Sequence, residues 1–376
     1  MIFLKRAFHS IQNFWLKGYS FSRFLVTFMG EKINIIKKKK LIQSVNLDDN
    51  EIRQAQTFFK KWYGKKIPLY WHRLYQSFSG IYRKDYFPEI LFSTKYEPMV
   101  NPFRPIAAQF GDKNLLHQLF GGVEGVEIPQ TFFSCINGVY RNSNHLIISR
   151  QQLCQSVGDM YAVIKKTVDS SSGRDVQIVD MHNGIDAKSG KRIEELIGEY
   201  GENFVIQDLI KQHELLSRIN PSSLNTFRVM TYILNNKVNV CPIALRVGRN
   251  GADRDNIHYG GITVGIDDSG RLREYAFSEF GERFTEHPDT HVVFSETVLP
   301  FVDALREKAI LLHSELPWLK VISWDLSINE KGNVVLIEVN TVGQSAWFPQ
   351  MANGEALFGD NTSEILHMIC RRQEKN

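Results

Sequence analysis

The chain has 376 residues, of which 43% are hydrophobic and 23% charged. This is the make-up of a globular protein with a large core and room for more than one lobe, and it excludes disordered and fibrous classes. A formal net charge of +4 is too mild to mark a nucleic-acid binder and leaves acidic small molecules as candidate ligands.

The chain opens with MIFLKRAFHSIQNFWLKGYSFSRFLVTFMGEK, whose apolar segments are interrupted by basic residues. A signal peptide needs an uninterrupted apolar stretch, so secretion is not expected. No run approaches the ~20 apolar residues of a membrane span. With the Lys37–Lys40 run, this region reads either as a helical cap with solvated lysines or as a peripheral contact for the inner face of a membrane. The helical cap is the preferred reading. Cys135, Cys154, Cys241 and Cys370 follow no CxxC spacing and read as free thiols of a reducing cytoplasm.

The first hundred residues read as helical. In LDDNEIRQAQTFFKKWYGKKIP, Asp48 or Asp49 supplies an N-cap, Ile52, Ala55, Phe59 and Trp62 form an apolar stripe, and Gly64 and Pro68 are stop signals. From about Asn101 the character changes to a short helix from Asp112, a Gly-rich break and a strand. Strand-like runs follow: YAVIKKT, VQIVD, NFVIQDLI, NTFRVMTYIL, NVCPIALRVG, GGITVGI, VISWDLSI and VVLIEVN. Helical patterns interrupt them at 192–200, 295–314 and 362–371. Hairpin spacings this short exclude parallel crossovers, so the expected class is α+β.

Three groups of residues carry chemistry. In AVIKKTVDSSSGRDVQIV, a strand ending in Lys165 and Lys166 leads into a small-residue loop containing Ser171, Ser172 and Gly173. Backbone N–H groups of such a loop can cradle phosphates while a lysine neutralises charge. Arg228 and Arg246 lie near strand ends, where a guanidinium can clamp phosphate or carboxylate. The polar loop after Arg246 holds Arg249, Arg254, Asn256, His258, Gly260 and Gly261. His258 taken alone reads as a polar loop residue and not as a catalyst.

The third group is a hairpin, VISWDLSINEKGNVVLIEVN. A two-residue loop at Lys331 and Gly332 sets Asp325 opposite Glu338 and Ser323 opposite Asn340. It also puts Ile322, Trp324, Leu326 and Ile328 on one face with Val335, Ile337 and Val339, and Leu336 on the other. Opposed carboxylates repel, so something cationic is required. Two carboxylates and an amide oxygen suit Mg²⁺. A merely solvated sheet face would carry lysines and arginines as well.

In this order the elements resemble the ATP-grasp superfamily, and most closely its sugar-transfer-associated branch from bacterial exopolysaccharide and capsule gene clusters. The likeness rests on SSLNTFRVMTY, ALRVGRNGADRDNIHYGGITVGID and WDLSINEKGNVVLIEVN, and covers about Asn101 to the C-terminus. It implies two α+β lobes, 101–210 and 211–376, with ATP between them, after a helical region 1–100. Lys113, Lys165 and the loop Ser171–Gly173 would contact phosphates, and Gln207, Asp208, Leu209 and Ile210 would face adenine. Glu214 would reach the ribose, and Asn256 would also contact nucleotide. Arg228 and Arg246 would face the transferred phosphoryl group, with Asp325, Glu338 and Asn340 on Mg²⁺. Relatives commonly carry proline after the lysine strand, whereas Lys166 stands here, which leaves open which lysine points inward.

The implied activity is an ADP-forming carboxylate–amine ligase that joins an amino acid to a sugar acid or amino sugar of a cell-surface glycan precursor. A sugar kinase and an inactive nucleotide-binding scaffold are the alternatives. Retention of the opposed carboxylates argues against the scaffold.

Overall fold

The computed structural model describes residues 22–102, 104–167, 176–252 and 255–374. Its chain divides into two compact units. One comprises residues 1–102, 345–347 and 354–376, and the other residues 103–344 and 348–353. The C-terminal helix Thr362–Glu374, expected within the second lobe, therefore belongs to the unit that contains the N-terminal helices.

In the first unit the helix Asp49–Trp62 starts where its cap dictates. Asp48 accepts from the Glu51 N–H at 2.7 Å, and Glu51 accepts from the Asp48 N–H at 2.9 Å. Ala55 and Phe59 are fully buried. The unit's core is aromatic: Phe87 and Tyr96 both pack edge-on against Phe358, at 5.0 and 4.9 Å between ring centroids.

The second unit is α+β. Its strands in chain order are β1 Val126–Glu127, β2 Thr131–Ile136, β3 Val139–Asn142, β4 Ile147–Ile148, β5 Met160–Lys166, β6 Val176–His182, β7 Ile185–Asp186 and β8 Phe204–Asp208. There follow β9 Thr226–Leu234, β10 Lys237–Val240, β11 Ala244–Val247, β12 Ile262–Ile266, β13 Leu272–Phe277, β14 Arg283–Phe284, β15 Val321–Ile328 and β16 Val334–Asn340. They form a seven-stranded sheet, β4-β3-β2-β8-β5-β6-β7, and a nine-stranded sheet, β1-β16-β15-β9-β11-β12-β13-β14 with β10 on β9. Among the described residues every pairing is antiparallel except β1 with β16.

One face of the large sheet is apolar and packs under the helix Val302–Ser314, with Phe227, Val229, Leu245, Val264, Trp324 and Leu336 in the core. The expected helix over 295–314 thus begins later, after a single 3₁₀ turn at Phe294–Glu296. The run NVCPIALRVG is two strands, broken where Pro242 cannot donate a ladder hydrogen bond.

The β15–β16 hairpin departs from the expected register at two points that cancel. Asn329 turns its side-chain oxygen onto the N–H groups of Lys331 and Asn333, at 3.0 and 2.9 Å, and opens a three-residue loop with Gly332 at φ +85°. A bulge at Ile337 then shifts the ladder back, so that Leu326 pairs with Leu336 while Asp325 faces Glu338 and Ser323 faces Asn340. The site pairs are as the sequence reading placed them. Between loop and bulge the faces are exchanged: Leu336 joins the core, Val335 faces Ser327 on the polar side, and Ile337 stands unpaired.

Candidate active site

Register alone assembles most of the site. Reading across the large sheet, Glu338 on β16 faces Asp325 on β15, which faces Arg228 on β9, which faces Ala244 on β11. One step along the same face, Arg246 lies opposite both Thr226 and Thr263. Since directly opposed residues project to one side, carboxylates and guanidiniums share a single polar surface behind the apolar core.

The side chains lock together. Arg228 donates through Nε to Asp325 Oδ1 at 2.6 Å and through Nη2 to Oδ2 at 3.3 Å. Arg246 Nη2 donates to the same Oδ2 at 2.9 Å and to Thr226 Oγ1 at 2.7 Å, and its Nε lies 3.6 Å from Asp255 Oδ2. The Thr226 hydroxyl donates in turn to Asp255. Burial pushes the Asp325 carboxyl up, but Arg228 and then Arg246 prevail and hold it below the usual carboxylate range. Burial likewise disfavours the Arg246 cation, yet Asp325 and Asp255 outweigh it and raise its pKa. At Asp255 burial wins, and its carboxyl is raised above the ordinary value despite Arg246 and Thr226.

Two lysines complete the surface. Lys113, in a 3₁₀ turn capped by Asp112, reaches Glu338 Oε1 at 2.9 Å. Lys165, near the end of β5 on the smaller sheet, is buried, and its pKa is lowered to about 8. Desolvation is the main cause, the neighbouring Lys113 charge adds to it, and Glu338 partly offsets it. Lys165 is therefore the inward lysine, and the more exposed Lys166 is not.

Other expected residues are placed differently. Gln207 is buried and donates from Nε2 to Thr131 Oγ1 at 3.1 Å. Asp208 gives its N–H to Gln130 O at 2.8 Å. The backbone groups of Leu209 and Ile210 make no hydrogen bond among the described residues, which leaves donors and acceptors open at the end of β8. Glu214 is exposed and paired with Arg218. Asn256 spends its side-chain oxygen on the His258 N–H at 2.8 Å, capping a 3₁₀ turn, Ile257–Tyr259. Ser171, Ser172, Gly173 and Arg254 lie outside the described residues.

Asp255, Thr226 and Thr263 were not singled out in the sequence, and no short motif marks them. Their membership comes from register and loop closure. A Cβ on Gly261 would stand 2.3 Å from the Asp255 carbonyl oxygen, so the loop closes only over a glycine. Three residues beyond Asp255, His258 Nδ1 lies 2.8 Å from Glu279 Oε2, while its Nε2 makes no hydrogen bond among the described residues.

For a divalent cation the donor set is uneven. Asp325 already accepts three hydrogen bonds from the arginines, leaving one of the roughly four lone-pair sites of a carboxylate. The second oxygen of Glu338 has no hydrogen-bond partner among the described residues; on the same strand face Asn340 can ligate only through its amide oxygen, its buried nitrogen being a donor without an acceptor. No three His, Cys, Asp or Glu side chains converge among the described residues. Glu338 and Asn340 thus fit a hard cation that takes its remaining oxygens from Asp325, water and a bound anion.

Two sheets and a polar face that gathers lysines, arginines and carboxylates make an α+β protein with the groups to hold an anionic ligand. The chain belongs to the sugar-transfer associated ATP-grasp family, whose model matches residues 91–365. No curated protein matches the chain. Among solved structures it is similar to an N5-carboxyaminoimidazole synthetase from Staphylococcus aureus complexed with ADP, at 10% identity and a TM-score of 0.35 over 62% of this chain and 45% of that one. An L-amino acid ligase from Bacillus licheniformis aligns at 12% identity and TM-score 0.38, covering 68% and 47% of the two chains. D-alanine–D-alanine ligase from Helicobacter pylori aligns at 13% and 0.37, covering 69% and 57%. The aligned part spans less than half of the first of these proteins.

Proposed function

We propose that the protein is an ATP- and Mg²⁺-dependent ligase that activates a carboxylate as an acylphosphate for attack by an amine. The observation that carries the reading is one polar face on which, among the described residues, Lys113, Lys165, Arg228 and Arg246 surround three carboxylates, Asp255, Asp325 and Glu338. A surplus of buried cation without a bound anion is a receptor for one, and a nucleoside triphosphate supplies it. When bound, Mg²⁺ on Glu338 and Asn340 would neutralise phosphate charge. The open backbone of Leu209 and Ile210 supports an adenine contact there, with Gln207 and Asp208 shaping the strand end; Glu214 and Asn256 remain weaker candidates.

In this reading Lys113 and Lys165 hold phosphate oxygens, and Arg228 and Arg246, fixed by Asp325, face the phosphoryl group as it moves to the substrate carboxylate. The amine then attacks the acyl carbon, the C–O bond to phosphate breaks, and the proton leaves the amine nitrogen. His258, oriented through Nδ1 by Glu279, offers Nε2 to accept that proton. The family's association with sugar transfer supports an amino acid and a sugar acid or amino sugar of a glycan precursor as the substrates.

The test is incubation of the protein with Mg-ATP and pooled carboxylates and amines. Release of ADP and phosphate that requires both pools supports the ligase. Formation of a stable phosphoester without an amine would replace it with a kinase.

A further inference from the structure

Residues 22–37 are helical and present two dissimilar sides. The inner side is docked within its own unit: Phe24 stacks on Phe28 at 5.8 Å, the Lys95 ammonium lies 5.1 Å from the Phe24 ring, and Glu31 faces inward with its pKa raised to about 7 by burial. The outer side exposes Leu25, Val26, Met29, Ile33 and Ile36, at 40, 72, 61, 51 and 70% exposure. Spacings of three and four residues set these side chains in a single stripe.

Charge flanks the stripe. Lys32 borders it on one side with its Nζ 5.4 Å from the Tyr70 ring, Lys37 borders it on the other, and Lys39 and Lys40 open the next helix, Lys39–Gln43. All four lysines are exposed. The first 47 residues hold nine Lys or Arg and a single acid, Glu31. With a whole-chain net charge of +4, the remainder is net acidic, so positive charge is concentrated in this part of the sequence, and Lys32, Lys37, Lys39 and Lys40 lie beside the exposed stripe. No helix among the described residues is long and apolar enough to cross a membrane.

We propose that this face docks on an anionic phospholipid surface, with the stripe seated at the headgroup–acyl boundary and the lysines on lipid phosphates. An apolar stripe bordered by lysines, with no outward acid, matches the charge and polarity profile of an anionic bilayer surface. An acid-rich protein partner would satisfy the lysines and leave the apolar stripe in water. The inference is independent of the ligase reading, because none of these residues belongs to the polar face of the large sheet.

The experiment is sedimentation of the full chain with phosphatidylcholine vesicles and with mixed phosphatidylcholine–phosphatidylglycerol vesicles. Binding to the mixed vesicles only, weakened by salt, is expected. Replacing Lys37, Lys39 and Lys40 together by Gln should lower affinity on the order of 100-fold, and the pair Ile33→Asp and Ile36→Asp should abolish binding. These side chains are exposed, so circular dichroism should be unchanged. Absence of binding to mixed vesicles, or equal binding by the variants, would overturn the proposal. A homodimer in solution that Ile33→Asp dissolves would assign the stripe to a second copy and overturn it as well.

Discussion

Replacing Lys165 by Met should stabilise the protein while destroying its affinity for ATP. The buried ammonium titrates at about 8 in the fold against 10.5 for a free lysine. That difference is a destabilisation of about 3 kcal/mol at neutral pH, at ~1.36 kcal/mol per pKa step. The sign follows from linkage. Between pH 8 and 10.5 the unfolded chain holds a proton at this position that the folded chain has lost, so stability rises with pH across that window. Below pH 8 the full cost is present. Methionine keeps the length of the side chain and removes the charge, although the attraction to Glu338 is lost with it. A net gain of about 1–3 kcal/mol at pH 7 is expected. Denaturant melts of both proteins at pH 7 and at pH 10, compared as a difference so that other titrating groups cancel, measure it. The difference should shrink at the higher pH. A variant less stable than wild type at pH 7, with a difference independent of pH, would refute the account of Lys165 as a cation held at a cost for an anionic ligand.

Three further outcomes follow from the same surface. Asp325→Asn leaves Arg228 buried without its carboxylate and Arg246 with Asp255 alone, and should lower stability by about 3–5 kcal/mol in chemical denaturation. Glu338→Gln touches a half-exposed carboxylate whose one hydrogen bond among the described residues is to Lys113, so stability should move by less than about 1 kcal/mol while Mg-ATP turnover disappears from a phosphate-release assay. His258→Gln should leave carboxylate-dependent ADP–ATP exchange intact and slow amide formation by about 10²–10⁴.

How far the site was legible depends on distance along the chain. Asp325, Glu338 and Asn340 lie on adjacent strands of one hairpin, where alternation and a short loop nearly decide the pairing. The pairs Asp325–Glu338 and Ser323–Asn340 form as that reading expects although the loop is a residue longer, because the bulge at Ile337 compensates. The faces of Val335 and Leu336 were misassigned for the same reason: a hydrophobic pattern does not announce a bulge. The clamp of Arg228 and Arg246 on Asp325 joins residues 97 and 79 positions apart and depends on strand order β15-β9-β11. Asp255 is a loop acid in the sequence, and only the closure of its loop against Gly261 makes it a partner of Arg246. The choice between Lys165 and Lys166 turned on which residue of β5 faces the desolvated interior, and adjacent strand positions alternate too evenly for composition to settle it.

The order in which the chain leaves the ribosome gives one more meaning to the division into units. The aromatic core of the first unit awaits Phe358, and the helix Asp49–Trp62 awaits His367, whose ring lies 6.4 Å from Trp62. In the second unit β16 fills the gap between β1 and β15 and arrives only at residues 334–340. The second unit cannot close before residues 334–340 are made, nor the first before Phe358 and His367 are made. Contacts of such long sequence separation slow folding: the N-terminal aromatics pair locally first, as Phe59 with His72 and Tyr75 with Tyr86, and meet Phe358 and His367 late. A chain cut short at residue 353 would hold every residue of the polar face and still lack the end of its first unit. Each unit is therefore closed by a segment that lies far along the chain from most of what it covers.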